Sequence, residues 1–217
     1  HPLLHQRAEA ARARFETSRF NSYQGPADAR RLVIVTGPGW TYAVEAVELL
    51  AASDEIGVLK LATAWPLPER LLLSHLGHAR EVLFLEEIEP FVETEVKALW
   101  AQHAASLGAI AFLGKASGHV AGPAGPAIGE LTPEIVIAAV SALAGRPFVV
   151  VSNRRVWTLH ARTIEGPLRA LGRVERVLIP DGERHKSRKT LDALHDAFLG
   201  AGMRRDGVVV AFGGGVV

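Results

Sequence analysis

Two stretches of the chain hold residue types that could do chemistry. The first runs from Glu86 to Glu95, where Glu86, Glu87, Glu89, Glu93 and Glu95 crowd together. Such a cluster could bind a metal or share protons as acid and base. Pro90 lies in its middle, however, and proline favours the first turn of a helix, so the simpler reading is carboxylates around a helix N-terminus, stabilised by the dipole and by solvent. His75 and His78 stand three apart, a spacing that lets two imidazoles share a metal. No third ligand lies nearby in the sequence, which favours structural or exposed histidines. Gly114-Lys115 lacks the glycine spacing and the following hydroxyl of a phosphate loop.

The second stretch is a set of three loops at Asn153, at Pro180–Lys186 and at Gly213–Val217, each placed after a strand-like run. In a parallel sheet such loops gather at the carboxyl edge, where dinucleotides bind. The glycines of Gly213-Gly214-Gly215 would let backbone amides approach a pyrophosphate. Asp181 and Glu183 can accept hydrogen bonds from ribose hydroxyls, and Lys186 can offset phosphate charge. A glycine triplet alone is more often a plain turn. His185 and His195 invite a catalytic reading, but His195 follows the apolar face of its helix and reads as a partly buried structural residue. Neither is assigned as general acid or base, and no catalytic residue or metal ligand is assigned.

These residues need elements to hold them. At 217 residues, with 48% hydrophobic and 22% charged, the chain can bury a core as one large domain or two small ones. The 24 basic and 23 acidic residues give a formal charge of +1 and no basic patch, so neither nucleic acid nor a membrane surface is an expected partner. The longest apolar run, from Ile135 to Gly145, is too short to span a bilayer and the N-terminus lacks a signal-peptide core, so a cytoplasmic location is expected. With no cysteine there is no disulfide, thiolate nucleophile or cysteine-held iron–sulfur cluster.

Along the chain, residues 1–30 read as a basic helical tether closed by turn chemistry at Asn21–Ala29. Strand-like and helical periods then alternate: Leu32–Thr36, a helix with Ala43, Ala46, Val47 and Leu50 on one face, Val58–Leu61, a helix opened by Pro68, Val82–Leu85, a helix opened by Pro90, and a short strand near Ile110–Leu113. This alternation predicts βαβ units around a mostly parallel sheet. The Gly-, Ala- and Pro-rich run from Gly114 to Gly129 predicts an irregular surface segment, and Thr132-Pro133-Glu134 is a helix start. A second series has strands at Phe148–Ser152, Val174–Ile179 and Val208–Phe212, and a helix capped by Ser187. The fold class expected is α/β, with two sequential parallel-sheet units.

The segments TGPGWTYAVEAVELL (36–50), VLKLATAWPLPERLL (58–72), LFLEEIEPFVETEVKAL (83–99), Gly114-Lys115 and GELTPEIV (129–136) together resemble the middle region of the large subunit of indolepyruvate ferredoxin oxidoreductase. That resemblance covers nearly all of residues 15–145 and implies a domain like the C-terminal domain of transketolases over residues 31–145. Such a domain orients neighbouring domains and does not itself hold the cofactor. The family's thiamine diphosphate and iron–sulfur clusters are implied only for parts with no counterpart here, and the implied partner is the small subunit of the oxidoreductase or a second copy.

Residues 179–217, IPDGERHKSRKTLDALHDAFLGAGMRRDGVVVAFGGGVV, with FVVVSNRRV (148–156) before them, resemble the NAD-binding part of 3-dehydroquinate synthase. This implies a truncated Rossmann-like half-domain over residues 146–217. On that resemblance Asp181, Gly182, Glu183 and Lys186 contact NAD, Asn153 lies near the adenosine, and Gly213, Gly214, Gly215, Val216 and Val217 begin the pyrophosphate loop. The family's divalent metal belongs to a helical domain without a counterpart here. The chain thus reads as a fused fragment of two enzymes, one a thiamine-dependent 2-oxoacid oxidoreductase and one an NAD-dependent lyase, joined between about 128 and 147 and unable to complete either reaction alone. The alternative is a non-catalytic assembly module, or the product of a gene-assembly or rearrangement event.

Overall fold

The computed structural model describes residues 2–122, 125–126, 129–145, 148–161, 174–203 and 207–213. The first unit is a five-stranded sheet in the order β1-β3-β2-β4-β5, made of β1 (Ser22–Gln24), β2 (Arg31–Val35), β3 (Ile56–Lys60), β4 (Glu81–Leu85) and β5 (Ala111–Leu113). All neighbours are parallel except β1, which runs antiparallel to β3. Strands β2 and β4 are near-continuous apolar runs because helices cover both faces of the sheet. Helices α2 (Gly39–Leu49) and α5 (Pro133–Leu143) cover the face carrying Val33, Val35 and Leu85. Helices α3 (Glu69–Leu76) and α4 (Phe91–Leu107) cover the face carrying Leu32, Ile34 and Phe84.

The N-terminal segment differs from a plain tether. Helix α1 (Pro2–Phe15) buries no residue, but the residues after it are tied down. Glu16 accepts from the amides of Arg70 (3.0 Å) and Leu71 (2.9 Å) at the start of α3. Asn21 Oδ1 accepts from Ala62 and Thr63, and the stretch expected to be all turn contains β1. Its Tyr23 lies so close to Gly57 that any side chain there would collide with the ring, which explains a glycine inside β3.

The run from Gly114 to Gly129 is also less superficial than its composition suggests. Val120 and Lys115 are buried, and β6 (Ala121–Gly122) pairs with β7 (Gly125–Pro126). Thr132 then caps α5 as expected, its hydroxyl accepting from the Ile135 amide.

The second unit is a three-stranded parallel sheet in the order β10-β8-β9, from β8 (Phe148–Asn153), β9 (Val174–Ile179) and β10 (Val208–Phe212). Helix α6 is described over residues 154–161, and α7 (Arg188–Gly200) is capped by Ser187, which accepts from the Thr190 amide. The expected helical turns at Ile164, Leu168 and Leu171 lie outside the described residues. Ala138 of α5 packs with Val150 and Trp157 of the second unit, while Val136, Ala139, Val140 and Leu143 pack into the first. The architecture is therefore α/β with two sequential parallel-sheet units, and α5 is shared between them. Among the described residues no helix is long and apolar enough to cross a membrane.

Candidate functional site

The three loops singled out in the second unit do emerge at one sheet edge. Register pairs Asn153 with Ile179 and Phe212 with Ser152, so the ends of β9 and β10 flank the end of β8. Ser152 Oγ locks the β10 side by donating to the Phe212 carbonyl at 2.7 Å. Asn153 is the pivot. It is 5% exposed, its Oδ1 accepts from the Val156 amide at 2.8 Å and so caps α6, and its Nδ2 donates to Asp181 Oδ1 at 3.4 Å. A residue that fixes a helix start and reaches across to the next loop holds both in register.

Beyond Asp181 the chain turns at Gly182, whose φ of +101° suits glycine, into a single 3-10 turn at Glu183–His185. Lys186 folds back on Glu183 at 3.0 Å. A groove of about 410 Å³ opens beside this turn between β9 and α7, lined by Ile179, Pro180, Gly182, Lys186, Leu191 and Leu194. Gly213 comes after β10 at the same edge; Gly214, Gly215, Val216 and Val217 lie outside the described residues. The structure thus brings Asn153 and Asp181 into contact and places Gly182, Glu183, Lys186 and Gly213 on the same rim. His195 is exposed, contrary to the buried placement expected from helical spacing, because α7 buries none of its residues. The apolar floor formed by Leu191 and Leu194 was read only as core, since an apolar stripe carries no mark of whether it is covered.

In the first unit the acid cluster departs from its expected reading. The carboxylates do surround a helix N-terminus, but two of them are not solvated. Glu86 accepts from the amides of Val92 (2.6 Å) and Glu93 (2.8 Å) at the start of α4. Burial pushes its carboxyl pKa up, against those two amides and the Lys115 charge, which pull it down. Glu93 is fully buried, pairs with Lys97 and accepts from the Ala116 amide. Lys115, 2% exposed, donates to the carbonyls of Ile88 (3.2 Å) and Gly129 (2.5 Å). Its pKa is lowered by burial, with Glu87 and Glu86 opposing. Every charge here is engaged in tying the loops after β4 and β5 together, which is a scaffold's use of charge. Nothing in the residue pattern marks a buried lysine at this position.

His75 stacks on Tyr23 with ring centroids 4.3 Å apart, and burial lowers its pKa, with His78 adding to the effect. Among the described residues no three His, Asp or Glu side chains come together to hold a metal.

No protein-family model matches the chain. Against curated proteins it is 41% identical over 101 residues to indolepyruvate oxidoreductase subunit IorA of Pyrococcus horikoshii, which covers 46% of this chain and 15% of that protein. The corresponding subunit of Archaeoglobus fulgidus is 34% identical over 98 residues. The chain is also 42% identical over 76 residues to 3-dehydroquinate synthase of Pelobacter propionicus, covering 35% of this chain and 21% of that protein. The similarity to two families expected from the motifs is borne out, and the chain spans at most about a fifth of the length of these relatives. Among solved structures, a protein titled split gene transketolase, inactive beta4 tetramer, is similar over 57% of this chain and 41% of that one, with 20% identity and a TM-score of 0.42, too distant to carry an argument.

Proposed function

We propose that the second unit binds a dinucleotide of the NAD type at the carboxyl edge of its sheet, and that the first unit serves as a scaffold. The observation that carries the ligand reading is the contact between Asn153 and Asp181 across the ends of two parallel strands. It sets a carboxylate, a positive-φ glycine and a glycine-led turn around one crevice, the arrangement in which such ligands sit. The residues fit the group. Asp181 and Glu183 supply acceptors for ribose hydroxyls, Lys186 supplies charge for the pyrophosphate, and the turn beginning at Gly213 allows close backbone approach. When bound, NAD would supply reversible hydride acceptance. The chain's own part is to hold the two riboses and the pyrophosphate against the strand ends.

The similarity to 3-dehydroquinate synthase supports the same reading, and the similarity to the indolepyruvate enzyme supports a common origin with a 2-oxoacid oxidoreductase for the rest. Ligand binding rather than turnover is proposed, because each match spans a small part of its relative. The scaffold reading of the first unit rests on Glu86, Glu93 and Lys115, whose hydrogen-bonding capacity is used internally. Its proposed partners are the small subunit of an oxidoreductase or a second copy of the chain. Calorimetric titration of the purified chain with NAD tests the ligand reading: saturable heat is expected, weakened by Asp181→Ala, and no heat at millimolar NAD would overturn it.

A further inference from the structure

We propose that the carboxyl edge of the first sheet is a self-complementary contact between two copies of this chain. It is built from an apolar strip of Phe20, Trp65, Phe91 and Ile88, with Arg19 at one end and Glu89 at the other. The four side chains are among the most exposed large hydrophobics of the molecule, at 62%, 65%, 48% and 63%. They are also neighbours. Trp65 and Phe91 pack edge to face with centroids 6.2 Å apart. Ile88 and Phe91 flank one tight turn, in which the Phe91 amide donates to the Glu89 carbonyl. At the other side, Asn21 bonds to Thr63, two residues before Trp65, which brings the preceding Phe20 and Arg19 to the same rim. Single exposed apolar residues are ordinary, but a linked aromatic and aliphatic strip marks an interaction site.

Ile88 adds an independent argument. Its φ is +60°, a conformation β-branched residues avoid at a cost of order 1–3 kcal/mol. Its backbone is held there on both sides: its amide and carbonyl pair with Gly129, and buried Lys115 donates to the same carbonyl. A buried lysine pinning a strained residue so that its side chain faces solvent is costly for a monomer, and the strain is explained if that side chain inserts into a partner.

Charge selects a second copy as the occupant. The Arg19 guanidinium lies over the Phe20 ring at 5.3 Å, and Glu89 comes directly after Ile88 at the far end of the strip. Among the described residues neither makes an ion pair within the chain. A two-fold axis through the Trp65–Phe91 pair sets the Arg19 of each copy against the partner's Glu89, so one strip satisfies itself twice, as an isologous contact requires. This inference does not depend on the dinucleotide reading.

Sedimentation equilibrium of the full chain over two decades of concentration tests it. A reversible monomer–dimer equilibrium is expected, weakened by salt because the end charges are exposed. Trp65→Ser should give monomer at the same concentrations with an unchanged melting temperature, since Trp65 is exposed. Arg19→Glu and Glu89→Arg should each weaken the dimer about tenfold at low salt, and the double reversal should restore it to within a few-fold. A monomer at every concentration, an assembly larger than a dimer, or a dimer indifferent to these substitutions would overturn the proposal. So would single losses that the double reversal fails to rescue.

Discussion

Asn153 does two jobs with one amide, and separating them is a test at the scale of a residue. Asn153→Ala removes the cap of α6 and the bond to Asp181, and should cost about 1 kcal/mol of stability by the cap alone. Asn153→Ser keeps a capping oxygen and gives up the reach to Asp181. Chemical denaturation should therefore show Ser nearly restoring stability, while NAD titration shows it failing to restore affinity. In the first unit, Lys115→Met leaves the Ile88 and Gly129 carbonyls without their buried donor and should cost about 1–3 kcal/mol. Glu86 sets a pH dependence whose sign is fixed by its raised folded pKa. Between the unfolded and the folded value the native state holds the proton more firmly than the unfolded chain. That stability is fully present below the ordinary carboxylate range and falls as pH rises through the folded value. Thermal melts across this window should show the decline in the wild type and a flatter profile in Glu86→Gln.

At the scale of elements, the strands and caps were largely legible. Val174–Ile179 and Val208–Phe212 are strands at the expected residues, and Thr132 and Ser187 cap the helices they were expected to cap. Period and capping are local signals, and local signals survive in a single sequence. Features that depend on tertiary cover were not legible. Spacing placed Leu191 and His195 of α7 inward, but the helix buries nothing, whereas the plain run of α5 turned out to serve two cores. The burial of Glu93 and Lys115 was missed for the same reason, since a charge buried against its partner looks like any surface charge. Helix α5 gives the corresponding prediction. Leu143→Ala, at a residue 2% exposed in the first core, should cost about 2–5 kcal/mol, as large-to-small changes in packed cores do. Circular-dichroism melts of this variant should report the loss.

Over the whole molecule, packing is uneven. The first sheet carries clusters of fully buried residues on both faces, while the core assigned to the second is Ala138, Val150 and Trp157, with α7 resting on β9. Sparse apolar burial lowers the free energy of local opening. Native-state hydrogen exchange should therefore be faster for β9, α7 and β10 than for β2 and β4. The same amides provide the most direct test of the ligand account, because a dinucleotide held at one sheet edge must slow exchange there and nowhere else. With saturating NAD, the account predicts protection confined to the loops after β8, β9 and β10, around Asn153, Asp181–Lys186 and Gly213. Protection centred on the first sheet, or no change at any of these amides, would contradict it.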